Sequence, residues 1–271
     1  MPYHLATVSH AHWQRRFIRP VMVLLMVAVA GCGSSGSDDP GNNANDDQVS
    51  SAKGPYNRIK RSAPRQAAVN MQNSNYLKQI ALALLNHDAT YRQYPLGDRG
   101  QTKYQDGKPL LSWRVHILPF LDQEELYNQF HLDEPWDSEH NMTLLEKMPF
   151  PYVDHAQELP PGITNFLAPI SERSILGATT ELTQNHIADG TSSTVLVLMA
   201  SADKGVPWTS PADLQIDPAD PIGSLGELGD SVVVLFADGS VKPIQLPIEP
   251  QQLLNLFNRD DRIPATPADS P

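Results

Sequence analysis

The feature that most constrains this chain is a short apolar run that ends beside its single cysteine. Val21 to Ala30 is uniformly apolar, Arg15, Arg16 and Arg19 lie upstream, and the Gly/Ser/Asp-rich stretch after Cys32 follows at once. About ten apolar residues fit the core of an export signal, for which roughly 7–15 are usual. They fall well short of the roughly 20 that a membrane-spanning helix needs. The run therefore reads as a leader that is removed, and the fold must be built from what comes after it. A lone cysteine also excludes an intramolecular disulfide and a cysteine-rich zinc site.

The seam itself, Val29-Ala30-Gly31-Cys32, resembles a bacterial lipobox. In such a motif small residues admit a signal peptidase and the cysteine sulfur takes a diacylglyceryl group. Cleavage is expected between Gly31 and Cys32, with Cys32 lipidated as the mature N-terminus. The competing reading, a buried cysteine inside a helix, accounts for neither the apolar run nor the polar sequel. Arg15-Arg16-Phe17-Ile18 approaches a twin-arginine signal, but its aromatic comes one position too early, so general secretion is the reading. Two or three acyl chains on one cysteine anchor a protein stably. The expected location is the cell envelope, with the chain held on a membrane by its lipid and the body facing the periplasm or the cell surface.

Charge narrows the partners. The whole chain carries a formal charge of −11, and loss of the three leader arginines takes it to −14. No basic patch with interleaved aromatics offsets phosphate repulsion, so nucleic acid is excluded as a partner. Residues 32–62 are rich in Gly, Ser, Asn and Asp and end in the basic stretch Arg58, Lys60, Arg61. They read as a disordered tether, and thirty flexible residues reach roughly 30 Å. Residues 63–260 are long enough for one sizeable core, and 261–271 read as a disordered tail.

Within the body, Leu77, Ile80, Ala81, Leu84 and Leu85 recur at helical spacing, which predicts an amphipathic helix stopped by Pro95 and Gly97. Short helices follow: Pro119 breaks one, Asp122-x-x-Glu125 offers a capping box, and Ser138 offers a cap to a helix that Pro149 ends. From Ile163 the pattern turns to strands. Thr194 to Ala200 is an apolar run after Asp189-Gly190, and two β runs flank Asp238-Gly239 as a hairpin. Pro250 opens a last helix carrying Leu253, Leu254 and Phe257.

Several clusters raise the question of chemistry. His131, Asp133, Glu134, Asp137, Glu139 and His140 fall within ten residues, a density that suits Ca²⁺ or Zn²⁺, but the spacing fits neither an EF-hand nor a zincin helix. The reading is that Ser138 and Asp137 cap a helix, Trp136 packs inward and the other charges are solvated. Asp213, Asp217 and Asp220 lie in a Pro-rich loop and read as turn formers. Thr191, Ser192, Ser193 and Thr194 lack the second glycine of a nucleophile elbow. His87-Asp88 reads as polarity at a helix end, and Trp113 and Trp208 as core aromatics. No catalytic, metal or cofactor residue is assigned.

Five pieces, "NYLKQIALALLNHDATYRQYP", "LLSWRVHILPFLDQEELYNQFHLDEPWDSEHN", "IADGTSST", "VPWTSPADL" and "FADGSVKPI", in this order and spacing resemble the bacterial family called domain of unknown function 1559, over about 70–260. Members look like prepilins or pseudopilins, so the resemblance implies an α+β, pilin-like fold: an N-terminal helix packed on an antiparallel β-sheet, with short helices inserted. Two departures stand out. The prepilin leader is replaced by the lipobox at Cys32. The family's histidine ten residues before the Asp of the hairpin turn is here Leu228, followed by Gly229-Asp230. The functional expectation is a lipid-anchored, non-enzymatic binding or scaffolding module, monomeric, with an envelope protein or polysaccharide as partner. A pseudopilin-like component of a pilus or secretion system is the alternative, and a hydrolase with an unrecognised site the third.

Overall fold

The computed structural model describes residues 62–95, 102–176 and 182–261. Gly31, Cys32, the leader and the tether lie outside the described residues, as do Gly97 and residues 262–271. The architecture is α+β.

Helix α1 (Ala63–Tyr91, 29 residues) starts after Ser62 with Pro64 in its first turn, where a missing N–H costs no hydrogen bond. Leu77, Ile80, Ala81 and Leu84 are buried as the spacing predicts, with Ala83 widening the buried face and Asn73 and His87 extending it at its two ends, while Leu85 is half-buried. The helix stops earlier than Pro95 and Gly97 would stop it. Arg92 adopts φ 58° and sends its N–H to the Asp88 carbonyl, a left-handed exit already complete before Pro95. Upstream of Asn73 the helix is exposed or half-buried all round, so its first turns stand outside the core.

The main sheet has four antiparallel strands in the order Val241–Gln245, Ser231–Phe236, Val195–Met199, Phe166–Leu167. It is buried on both faces. In Ser231–Phe236 the period of two holds: Val232, Val234 and Phe236 face one apolar cluster and Val233 and Leu235 the other. In Val195–Met199 the alternation breaks, because a bulge between Val195 and Val197 turns Leu196 and Val197 to the same side. One face packs on α1. At the hairpin turn Gly239 has φ +85°, and a Cβ there would sit 3.2 Å from the Leu85 side chain, so the turn residue and the helix contact are specified together. The other face is covered by α6 (Pro250–Phe257), which buries Leu253, Leu256 and Phe257.

Between α1 and the sheet run four-residue helices: α2 (Trp113–His116), α3 (Glu124–Tyr127), α4 (Glu139–Met142) and, later, α5 (Pro221–Ser224). Ser112 caps α2 and Ser138 caps α4 through their side-chain oxygens. The expected Asp122-x-x-Glu125 box does not form. Asp122 is left-handed, φ 57°, closing the preceding 3₁₀ turn Leu118–Leu121, and Gln123 takes the N-cap of α3 without a side-chain bond. Proline at 119 sets that 3₁₀ turn and shifts the start of α3 by one residue.

Candidate functional site

The most concentrated polar chemistry lies in the core. Arg114, on α2, is fully buried, and its side chain pairs with Asp213 at 2.5 Å. The guanidinium also donates to the Phe166 carbonyl at 2.8 and 3.2 Å and to Ser112 Oγ at 2.9 Å. Asp213 Oδ1 additionally accepts from Ala168 N–H at 2.8 Å, and Oδ2 from Trp113 Nε1 at 3.0 Å. Burial pushes the Asp213 carboxyl above its ordinary value, opposed first by the Arg114 charge and then by these donors. Asp213 is therefore not the turn former that the loop composition suggests. It is the buried partner that joins Ser112-Trp113-Arg114 to Pro211-Ala212-Asp213 across 99 residues of chain.

Aromatic rings wall this pair. Tyr152 donates its hydroxyl to the Arg114 carbonyl at 2.8 Å and meets Trp113 edge-on and Trp208 face-on. Trp113 and Trp208 are fully buried, as core aromatics should be. A second buried knot centres on Asp154, whose Oδ1 accepts from Asn73 at 2.7 Å and Ala156 N–H at 2.7 Å and whose Oδ2 accepts from Asn165 and Gln157 at 2.8 Å each. It ties α1 to the edge of the sheet, and nothing in the sequence pattern marks it. Arg114 did leave a signal, a single cation inside the apolar stretch Leu110 to Leu118, although its partner could not be read.

The dense stretch from His131 to Asn141 is on the surface and is organised by Asn141. Its Nδ2 donates to the carbonyls of His131, Glu134 and Pro135, and its Oδ1 accepts from His131 N–H. The imidazoles of His131 and His140 stack with centroids 3.5 Å apart and planes 2° from parallel. His131 Nδ1 donates to Glu134 at 2.9 Å, which holds that carboxyl below its ordinary value, and His140 Nε2 donates to the Gln129 carbonyl at 2.8 Å. Ring lone pairs lie in the ring planes, so two parallel rings aim their free nitrogens side by side rather than at one ion. Among the described residues no group of three or more His, Cys, Asp or Glu is placed to hold a metal.

A groove of about 420 Å³ is lined by Lys204, Gln215, Asp217, Asp220 and Ser224, with Asp213 and Leu214 below. Asp217 accepts from Ala219 N–H and Asp220 caps α5 through Gly223 N–H, so these two acids do form turns. The Thr191–Thr194 segment also lies in a turn, where the Thr194 hydroxyl donates to the Gly190 carbonyl and the Thr191 backbone carbonyl accepts from Asp238 N–H. Leu228, Gly229 and Asp230 line a second groove of about 530 Å³ with Ile222, Leu246 and Pro247.

His87 corrects the reading of surface polarity: it is buried 2 % exposed, its Nδ1 donates to the Gln93 carbonyl at 3.1 Å, and its ring meets Tyr91 and Phe120. Asp88 is half-buried, and burial pushes its carboxyl above the ordinary value. His116 is buried on α2. Of His87, His116, His131 and His140, only His131 is ion-paired to a carboxylate among the described residues, and that contact is open to solvent.

A family described as protein of unknown function (DUF1559) matches residues 62–169. That span holds the first two of the five sequence pieces and ends before the other three. No curated protein and no solved structure matches the chain.

Proposed function

The chain carries DUF1559 sequence over residues 62–169, and from that premise we propose that it is a lipid-anchored, pilin-like binding or scaffolding module of the cell envelope, without catalytic activity. The observation that carries this reading is where the body begins. The family segment starts at 62 and α1 at Ala63, immediately after the polar stretch that follows the lipobox at Gly31-Cys32. Leader, tether and body thus succeed one another without overlap. Among the described residues no helix is long and apolar enough to cross a membrane, and the proposed membrane contact is the lipid on Cys32.

The body offers a partner the groove beside Lys204, Gln215, Asp217 and Ser224, whose mixed donors and acceptors suit an envelope protein or a polysaccharide. Nucleic acid is not a partner at this charge. The free edge of the main sheet supports a monomer. Ser240 and Leu246 bond across the hairpin to Phe236 and Asp230, so Val241, Pro243 and Gln245 present their backbone outward. Pro243 removes a donor in the middle of that edge, which blunts strand addition.

A second reading, a pseudopilin-like component of a pilus or secretion system, draws on the exposed first turns of α1, including Met71 at 67 % exposure. The third, a hydrolase, draws only on the His131 contact with Glu134. The test is metabolic labelling with a fatty-acid analogue: the wild type should take label and Cys32→Ser should lose it and accumulate as precursor. Equal labelling of the variant would sink the anchor. Ordered filaments from the mature protein by electron microscopy would promote the second reading.

A further inference from the structure

We infer that the junction between the last turns of α1 and the Trp113–Leu121 segment is an acid-sensitive joint, in which His87 and His116 are buried near one another and, among the described residues, neither is ion-paired to a carboxylate. His116 is 4 % exposed, and its Nε2 is buried without a hydrogen-bond partner. His87 gives its one polar contact to the Gln93 carbonyl. A proton on either ring would be a cation in a largely apolar site, and protons on both would repel.

The surrounding charges do not relieve this. On α1, Asp88 is itself pushed up by burial and answers to Arg92, and Tyr91 contributes only its ring. Beyond the helix, Tyr94 is buried and pushed upward. On α2 the neighbouring Arg114 is a cation committed to Asp213. From α3, burial and then Tyr91 push the Tyr127 hydroxyl up to about 12. Among the described residues, desolvation is the largest influence on both imidazoles, lowering His87 to about 4 and His116 to about 3, the latter with a further push from His87.

The sign follows. Both rings take up protons below about 6.5 once released to solvent, but in the closed joint they resist until about 4 and 3. Acid therefore favours the opened joint throughout that window. If opening exposes both rings, linkage predicts a rise in the opening constant of roughly twentyfold per imidazole between pH 7 and pH 5, or several hundredfold together. If the chain sits on the envelope as proposed above, the joint meets the external pH directly, but the linkage itself holds wherever the protein is placed.

Hydrogen exchange on the full chain in detergent tests this. Protection of Arg92 N–H and of the Ile117 and Phe120 amides, corrected for the intrinsic pH dependence of exchange, should fall several hundredfold from pH 7 to pH 5. The Gly223 and Ser224 amides, which bond Asp220 at an exposed turn and open without exposing either imidazole, serve as the internal reference and should change less than tenfold. His87→Gln should reduce the change at the joint to roughly twentyfold. An equal loss at joint and reference, or an unchanged pH dependence in His87→Gln, overturns the proposal. Should that variant not fold, His116→Gln carries the same expectation, and the wild-type contrast between joint and reference still decides.

Discussion

The Arg114–Asp213 pair and the His131–Asn141 loop are both places where charged and polar residues crowd together, yet one lies in the core and the other in solvent. The buried pair is the sparser in sequence, two charges separated by 99 residues, and both charged groups meet several further donors or acceptors. The loop is dense in sequence, six titratable residues in ten, and most of them face water. Crowding along a chain therefore says little about chemistry. What separates the two regions is how many partners each polar atom has after folding, and that depends on residues brought from far away.

The contrast breaks most visibly at Asp213. Asp213→Ala removes one partner of a buried pair and leaves Arg114 as an unmatched cation, along with the Ala168 N–H and Trp113 Nε1. A loss of about 3–5 kcal/mol is expected, measured by urea unfolding. The double variant Arg114→Met, Asp213→Leu should recover much of that loss, because the stranded charge is gone. A single variant as stable as the wild type would show that the pair contributes nothing to the core.

The same contrast explains what could be read in advance. The α1 stripe, the Asp238-Gly239 hairpin, the Ser138 cap and the last helix were legible because each is settled by residues close in sequence. The partner of Arg114, the Asp154 knot and the burial of His87 were not, since each depends on where a distant segment lands. The failure of the Asp122 capping box is the local exception. There the Pro119 turn, three residues earlier, claims Asp122 first. Asp213 was misread for a related reason, since proline and aspartate in a loop suggest a turn unless a buried arginine is known to be waiting.

An intermediate effect is expected at Asn141, the one fully buried side chain of the surface loop. Asn141→Ala leaves His131 N–H and three carbonyls without their partner, although water can reach some of them. A cost of about 1–3 kcal/mol follows, read by urea unfolding. Nuclear magnetic resonance should also show the His131 and His140 rings losing their mutual shielding. If stability and ring shifts both stay put, the stack orders the loop and Asn141 merely accompanies it.

The smallest effect belongs to Glu134, and it separates a contact that holds the loop from one that decorates it. Its carboxyl accepts from His131 Nδ1 at 2.9 Å, and that bond holds it below its ordinary value. A lowered acid of this kind would add stability above its unfolded value and lose it as pH falls through the folded one. Glu134 is open to solvent, however, so water and salt screen the interaction, and solvent-accessible pairs contribute little that can be measured. Glu134→Gln keeps an oxygen to accept from His131 and removes only the charge. Its melting curve should superpose on that of the wild type at pH 7, and both should decline together toward pH 5 as the buried His87 and His116 begin to favour the unfolded chain. A wild type that outlasts the variant at pH 7 but not at pH 4 would place stabilising charge on the loop after all, and the division between a core that uses its ion pair and a surface that does not would fail.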